Sequence, residues 1–285
     1  MVVGVCMALG LIPGSLPSHA TGDSVEIWVS ILPQVEMVER IGGERVAAHS
    51  LVQPGDSPTT YEPTPKQLAA LWQADLYLAI GVPFEEPLLR KLEAMNLDIP
   101  INSVFEDIDR LPMDDHHGHG ASGSPDPHIW LDPELVKVQA AAIRNQLCEI
   151  APVHCAEFNK NLEDYLHDVD AVERRMDDVL RPYRDRELFV FHPSFGYLAR
   201  RYGLHQVAVE VDGKQPSPRQ LADLVERVHG SDTRTIFVQP QIADRAAQAV
   251  ATASGCTLVE LDPLAADHLA NLERMAQLIA ASYGD

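Results

Sequence analysis

The sequence predicts an α/β protein of two lobes, each a parallel sheet flanked by helices, with one long helix between them. Three observations lead there. Short apolar runs alternate with helical stretches in both halves of the chain, the pattern of βα units joined by right-handed crossovers. Between the halves, Cys155 to about Leu180 carries apolar residues at Phe158, Leu162, Tyr165, Leu166, Val169, Val172, Met176 and Val179, a helical spacing held over most of the segment. At about 1.5 Å rise per residue such a helix spans roughly 35–40 Å, longer than one lobe requires, and reads as a spine. Finally, histidine and aspartate stand at the ends of widely separated apolar runs, where open parallel sheets bind their ligands.

Taken in order, residues 25–31 read as a buried strand and Pro33 opens a helix that Gly42-Gly43 ends near Ile41. Residues 46–52 read as a second strand, followed by the turn cluster Pro54-Gly55-Asp56-Ser57-Pro58. Thr64 and Pro65 cap and start a helix, one residue as cap and the other at the first helical position. A third strand is expected at 76–80 up to Gly81, a helix at 84–95, and a short strand around Ile99. Residues 114–124 form a polar loop of Asp, His, Gly and Ser; helices follow from Pro133 to about Ile150 and over the spine. Beyond Pro182 strands are expected at 188–191, 207–211, 235–238 and 257–261, with helices near 196–202, 218–229, 242–254 and 268–282. The stretch Gly213-Lys214-Gln215-Pro216-Ser217-Pro218 reads as a turn that caps the helix after it. The resulting division is 24–154 for the first lobe, 155–182 for the linking helix and 183–285 for the second lobe.

At 285 residues the chain is long enough for a sizeable core, and 46% apolar residues is ordinary for a globular protein. A formal charge of −20 argues against a nucleic-acid partner and suits a cationic one, although acidity also serves plain solubility. Residues 1–20 read as an export signal: Val2 to Leu16 is apolar and uncharged, and Ser18-His19-Ala20 offers a small-x-small cleavage site. No Lys or Arg precedes Arg40, so the segment is either a weak signal or the inner part of a longer one. Cys6 lacks the small-residue context of lipid attachment. An exported location, periplasmic or otherwise extracytoplasmic, permits disulfides. Cys148 and Cys155 flank a turn at Pro152 and are placed to bridge two helix ends, while Cys256 is expected as a small core residue.

The centre of the reading is Asp126-Pro127-His128-Ile129-Trp130-Leu131-Asp132-Pro133, where a histidine sits between a proline and an aromatic at a loop-to-helix junction. Two later runs end in comparable residues: Phe189-Val190-Phe191-His192-Pro193 and Leu258-Val259-Glu260-Leu261-Asp262-Pro263. A cleft between lobes would bring His128, His192 and Asp262 together. Two imidazoles and a carboxylate suit Zn²⁺ in a tetrahedral site, whereas Mn²⁺ prefers more oxygen. Each residue also has a purely structural reading: a hydrogen-bonded histidine, or an aspartate capping a turn. His116, His117 and His119 lie in the polar loop, and short His-rich tracts bind metal in many contexts. Trp130 either packs over the site or belongs to the core.

These motifs, with Pro54-Gly-x-Ser-Pro and Tyr61-Glu-Pro-Thr-Pro, Phe191-His-Pro-Ser-Phe-Gly-Tyr197, Gln239-Pro-Gln241 and Leu261-Asp-Pro-Leu264, carry a resemblance over nearly the whole chain. The sequence resembles the zinc- and manganese-specific solute-binding proteins of ATP-driven importers. The resemblance implies two α/β lobes joined by a long rigid helix, a metal held between them, little hinge motion, a monomeric receptor and a membrane permease as partner. It favours zinc, because zinc-type members carry histidine at the position of His192 and manganese-type members tend to carry glutamate. It also implies that the acidic His-rich loop gathers or senses metal. One position departs from the pattern: the family's first ligand is a histidine after proline, and here Pro58 is followed by Thr59. A loop histidine, a water, or a weakened site are the three outcomes this leaves open. Two rival functions share the same residues. A zinc hydrolase would use the open position with Glu62 or Glu210 as general base, although no His-Glu-x-x-His or Gly-x-Ser-x-Gly is present. A metal-buffering or adhesin module would need no permease.

Overall fold

The computed structural model of the chain describes residues 24–95, 99–113, 124–210, 216–231, 233–241 and 244–284. The expected export segment (1–20), the loop histidines His116, His117 and His119, and Gly213 to Gln215 lie outside those residues. The first half runs β1 (Val25–Val29), α1 (Leu32–Gly42), β2 (Val46–Ser50), α2 (Pro65–Leu71), β3 (Leu76–Ala79), α3 (Glu85–Ala94) and β4 (Ile101–Ser103). Two long helices follow, α4 (Pro133–Ile150) and α5 (Cys155–Leu180). The second half runs β5 (Glu187–Val190), α6 (Gly196–Tyr202), β6 (His205–Ala208), α7 (Pro218–Gly230), β7 (Thr235–Val238), α8 (Asp244–Ser254), β8 (Thr257–Glu260) and α9 (His268–Ala281).

Local chemistry sets the boundaries. Thr64 accepts the Gln67 N–H while the Gln67 side chain accepts the Thr64 N–H, a reciprocal cap that starts α2. Ser217 and Gln220 repeat that arrangement at α7. Asp132 accepts the Glu134 N–H, and Pro133 needs no partner at the first position of α4. The expected strand around Ile99 is displaced to Ile101–Ser103: Pro100 has no N–H, so it contributes only its carbonyl, to Tyr77 N–H, and the ladder starts after it. The strand expected at 207–211 starts earlier and ends at Ala208, with an exposed His205 at its first position.

Strands β1 to β8 pair in parallel, and both sheets have the same order, β2-β1-β3-β4 and β6-β5-β7-β8. Strand order therefore reverses between β1 and β3, and again between β5 and β7, and a crevice opens at the carboxyl ends there. Apolar packing runs without a break from the first sheet through α4, α5 and α9 into the inner part of the second half, including Phe195, Tyr197, Leu261 and Leu264. A separate small cluster around Phe189, Phe191, Val207, Leu224 and Ile236 fills the other part of the second half. Cys256 packs half-buried against that cluster instead of lying within the core as expected, because β8 is the edge strand of its sheet.

Helix α5 buries the expected stripe Phe158, Leu162, Tyr165, Val169, Val172 and Met176, with Leu166 and Val179 half-buried. It grips the first half through Asn161 to the Ile41 carbonyl and Arg40–Asp168, and α9 through Arg175–Glu273. A disulfide between Cys148 and Cys155 closes the α4–α5 turn.

Candidate metal centre

His128 follows the irregular segment after β4 and precedes a single 3₁₀ turn, Ile129–Leu131, whose three residues are all buried. Its backbone N–H and ring Nδ1 both meet Asp126 Oδ1, at 2.9 and 2.7 Å. One carboxylate oxygen thus fixes both the backbone and the ring of the same residue. His192 lies two residues beyond β5, and its Nδ1 stands 2.7 Å from Glu210 Oε2. Glu210 is brought there by the chain beyond β6, where its N–H reaches the Phe191 carbonyl at 2.9 Å. With Nδ1–H donated to a carboxylate, each ring keeps its Nε2 lone pair for a metal.

The two rings come from opposite halves of the chain and face one another edge-on, with centroids 6.0 Å apart and planes at 73°. With Zn–N bonds of about 2.0–2.1 Å, two imidazoles bound tetrahedrally to one ion place their ring centres roughly 5 Å apart, so the two rings stand about 1 Å wider than a closed pair. Trp130 packs beside His128 at 5.2 Å between ring centroids and is 1% exposed, so it both walls the histidine and belongs to the core.

Asp262 lies two residues beyond β8. Its Oδ1 accepts the Leu264 N–H and the Gln241 Nε2–H, each at 2.9 Å, and its backbone carbonyl accepts from Asn271 at 2.7 Å. Among the described residues no three His, Cys, Asp or Glu side chains are already gathered into a metal-holding group. His128 and His192 are brought together; Asp262 is held in its own turn, with Oδ2 left out of those two bonds. Thr59 occupies an exposed position in a turn closed by Thr60 N–H to the Ser57 carbonyl. Glu62 lines a depression of that same segment with Gln53, Asp56 and Tyr61.

Sequence reasoning did not assign Asp126 or Glu210 as holders of the two rings. Asp126 was readable in principle, since an aspartate two residues before a histidine can close an Asx turn on it. Glu210 carries no such local signal. A further carboxylate missed was Glu85, at the reversal point of the first sheet. It is 4% exposed, bonds Ser30 Oγ and accepts the Ile80 and Gly81 N–H groups. Burial raises its pKa, and those bonds offset part of the rise. In the second half Gln239 plays the corresponding part, donating to the His192 carbonyl and to Ser194 Oγ.

Comparison with known proteins places this geometry in context. A family model described as the periplasmic component A of a zinc-uptake complex, ZnuA, matches residues 27–281. A crystal structure of ZnuA is 37% identical and superimposes with a TM-score of 0.85, covering 92% of this chain and 100% of that one. A zinc-bound ZnuA lacking residues 138–173 is 38% identical, also at 0.85, over 92% of this chain and 99% of that one. The high-affinity zinc uptake system protein ZnuA of Bacillus subtilis (strain 168) is 24% identical over 277 residues, 92% of this chain and 87% of that protein. A manganese-binding lipoprotein MntA of Halalkalibacterium halodurans is 28% identical over 247 residues, 84% of this chain and 80% of that protein. The laminin-binding adhesin Lmb of Streptococcus agalactiae, at 22% identity and a TM-score of 0.80 over 91% of this chain and 100% of that one, shares the fold. The chain belongs to the ZnuA family of metal-binding, two-lobed solute-binding proteins.

Proposed function

We propose that the protein is an extracytoplasmic receptor that captures a divalent transition metal, zinc foremost, between its lobes and delivers it to the membrane permease of an ABC importer. His128, His192 and Asp262 are the ligands in this reading, and the protein acts as a monomer. One observation carries it: two imidazoles from different halves of the chain meet edge-on, each with Nδ1 tied to a carboxylate. Membership of a family described as a periplasmic zinc-uptake component supports it.

The chain's own residues perform the capture. A formal charge of −20 raises the local concentration of cations around the protein. Asp126 and Glu210 orient the two rings and strengthen their donor nitrogens. Asp262 supplies the anionic oxygen that matches a divalent ion. Two nitrogens and one oxygen favour zinc over manganese. With Thr59 offering only a neutral hydroxyl, water completes the coordination, and three protein ligands hold the cargo more loosely than four.

The hydrolase reading fits less well. Glu210 Oε2 binds the Nδ1 side of His192, opposite the metal-facing nitrogen, where it holds the ring and cannot serve as base for a metal-bound water. The test is direct: apo protein is titrated with Zn²⁺ against a chromophoric chelator. The proposal requires a one-to-one complex that is lost in both His128→Ala and His192→Ala, and it fails if both variants bind as the natural protein does.

A further inference from the structure

The two loops that carry the candidate ligands are cross-braced, each by an aromatic side chain from the other lobe. Tyr197 stands on α6 in the second lobe, 3% exposed. Its hydroxyl accepts the Leu111 N–H at 2.9 Å and donates to the Asp126 carbonyl at 3.1 Å, both in the first lobe. Asp126 in turn donates its N–H to the Leu111 carbonyl at 2.7 Å, so the hydroxyl bridges two strands of chain that already face each other. Asp126 is the residue that fixes His128. The approach is close because α6 begins with glycine: a Cβ at Gly196 would stand 3.2 Å from Asp126 Oδ2.

The opposite brace starts in the first lobe. Trp130, two residues after His128, donates Nε1–H to the Pro263 carbonyl at 2.7 Å, next to Asp262 in the second lobe. Its own carbonyl accepts from His268 Nε2 at 2.7 Å, and Asn271 on the same helix holds the Asp262 carbonyl. Tyr197 and Trp130 are buried, so their polar heads exchange these partners for water only if the lobes part.

We infer that Tyr197 and Trp130 are positioning residues that tie metal affinity to lobe docking. This rests on His128 and Asp262 being ligands, as proposed above. While the lobes are together, the second lobe steadies Asp126, which orients His128, and the first lobe steadies Pro263, the neighbour of Asp262. Separation removes both braces in one step, and each half-site keeps only the holders of its own lobe, so its ligand is less firmly placed. A permease that levers the lobes apart therefore lowers affinity on both sides at once, and no ligand has to be protonated for release.

The test uses the full chain stripped of metal, with Zn²⁺ and Co²⁺ as probes. Tyr197→Phe removes one hydroxyl that touches no candidate ligand. Tyr283→Phe removes a comparable bond, to the Glu187 carbonyl at 2.9 Å, away from the site. Tyr197→Phe should raise the zinc Kd about three- to tenfold, the range expected for one lost hydrogen bond. It should also speed zinc release and alter the ligand-field bands of bound Co²⁺. Tyr283→Phe should lower the melting temperature and leave Kd and the cobalt spectrum as they are. Trp130→Phe, which keeps an aromatic ring but loses the N–H together with part of the buried indole, should move Kd in the same direction as Tyr197→Phe and by more. The inference is overturned if Tyr197→Phe lowers stability with Kd and spectrum unchanged while His128→Ala still abolishes binding. If His128→Ala binds zinc normally, the ligand assignment itself is wrong, a result distinct from the first.

Discussion

Glu210 Oε2 stands 2.7 Å from His192 Nδ1, the same distance that separates Asp126 Oδ1 from His128 Nδ1. Two lobes reach one arrangement by different routes. His128 uses an aspartate two residues back, and His192 uses a glutamate delivered by the neighbouring strand. In both, the carboxylate selects the tautomer with the proton on Nδ1 and the lone pair on Nε2. Glu210→Ala should therefore weaken zinc binding ten- to hundredfold, the usual cost of losing such a support. Glu210→Gln should fall between the two, because the amide oxygen still accepts the Nδ1 proton without a charge. Competition titrations of the three proteins check this ordering, and equal affinities would show that the ring needs no partner.

Position 59 makes the opposite kind of prediction. The exposed Thr59 follows Pro58 in the stretch where related receptors place a histidine. Thr59→His adds a fourth protein ligand to a segment whose neighbours, the Tyr61 hydroxyl and Gln67 Nε2, are both anchored on the Leu51 carbonyl. Zinc affinity should rise by at least about tenfold, since a coordinate bond replaces a bound water. An unchanged Kd by chelator competition would mean that the loop does not reach the ion.

The disulfide offers a control remote from the site. Cys148 sits near the far end of α4, about 22 Å along the helix from Pro133 at a rise of 1.5 Å per residue. A bridge spanning seven positions removes unfolded-state freedom worth about 2.5 kcal/mol. The double variant Cys148→Ser, Cys155→Ser should melt roughly 5 °C lower and bind zinc as before, measured by thermal denaturation and by titration. A loss of affinity would mean that strain at this turn reaches His128 through α4.

How far the sequence went depended on whether a feature is local. Helices α4 and α5 were legible to the residue, because Asp132-Pro133 and the Pro152 turn punctuate them and a periodic apolar stripe fills them. The pair His128 and His192 was legible as chemistry, since one stands after a proline at a loop-to-helix junction and the other ends an apolar run. Their holders were not equally visible. Glu210 becomes a partner of His192 only when β5 pairs with β6 in register, Val190 opposite Ala208. The Trp130 bond to Pro263 spans 133 positions and the Tyr197 bond to Asp126 spans 71, and no spacing rule reads such distances. The small shift of β4 came from one residue, Pro100, whose missing donor outweighed the apolar Ile99.

His268 makes the last prediction, and its sign follows from burial. The ring is 1% exposed at the start of α9, with Nε2 on the Trp130 carbonyl and no partner for Nδ1 among the described residues. Desolvation pushes its pKa down from 6.5 to about 4, against a smaller opposing effect of the Trp130 bond. Below pH 6.5 the unfolded chain takes up a proton that the native ring refuses, so stability falls as pH drops from 6.5 toward 4. The loss reaches roughly 2 kcal/mol by pH 5 and about 3 kcal/mol when the native ring finally titrates. Facing groups act on the same region. Glu36 on α1 accepts the Leu269 N–H, and its pKa is raised by burial, which works the other way; Arg40 lowers it, and Asp267 is paired with Arg274. These groups are common to the natural protein and to His268→Gln, whose amide can still donate to Trp130. The difference between their denaturation free energies from pH 7 to pH 4.5 therefore isolates the imidazole. The variant should show a flatter acid limb, and parallel limbs would mean that His268 is protonated in the folded protein as readily as in the unfolded one.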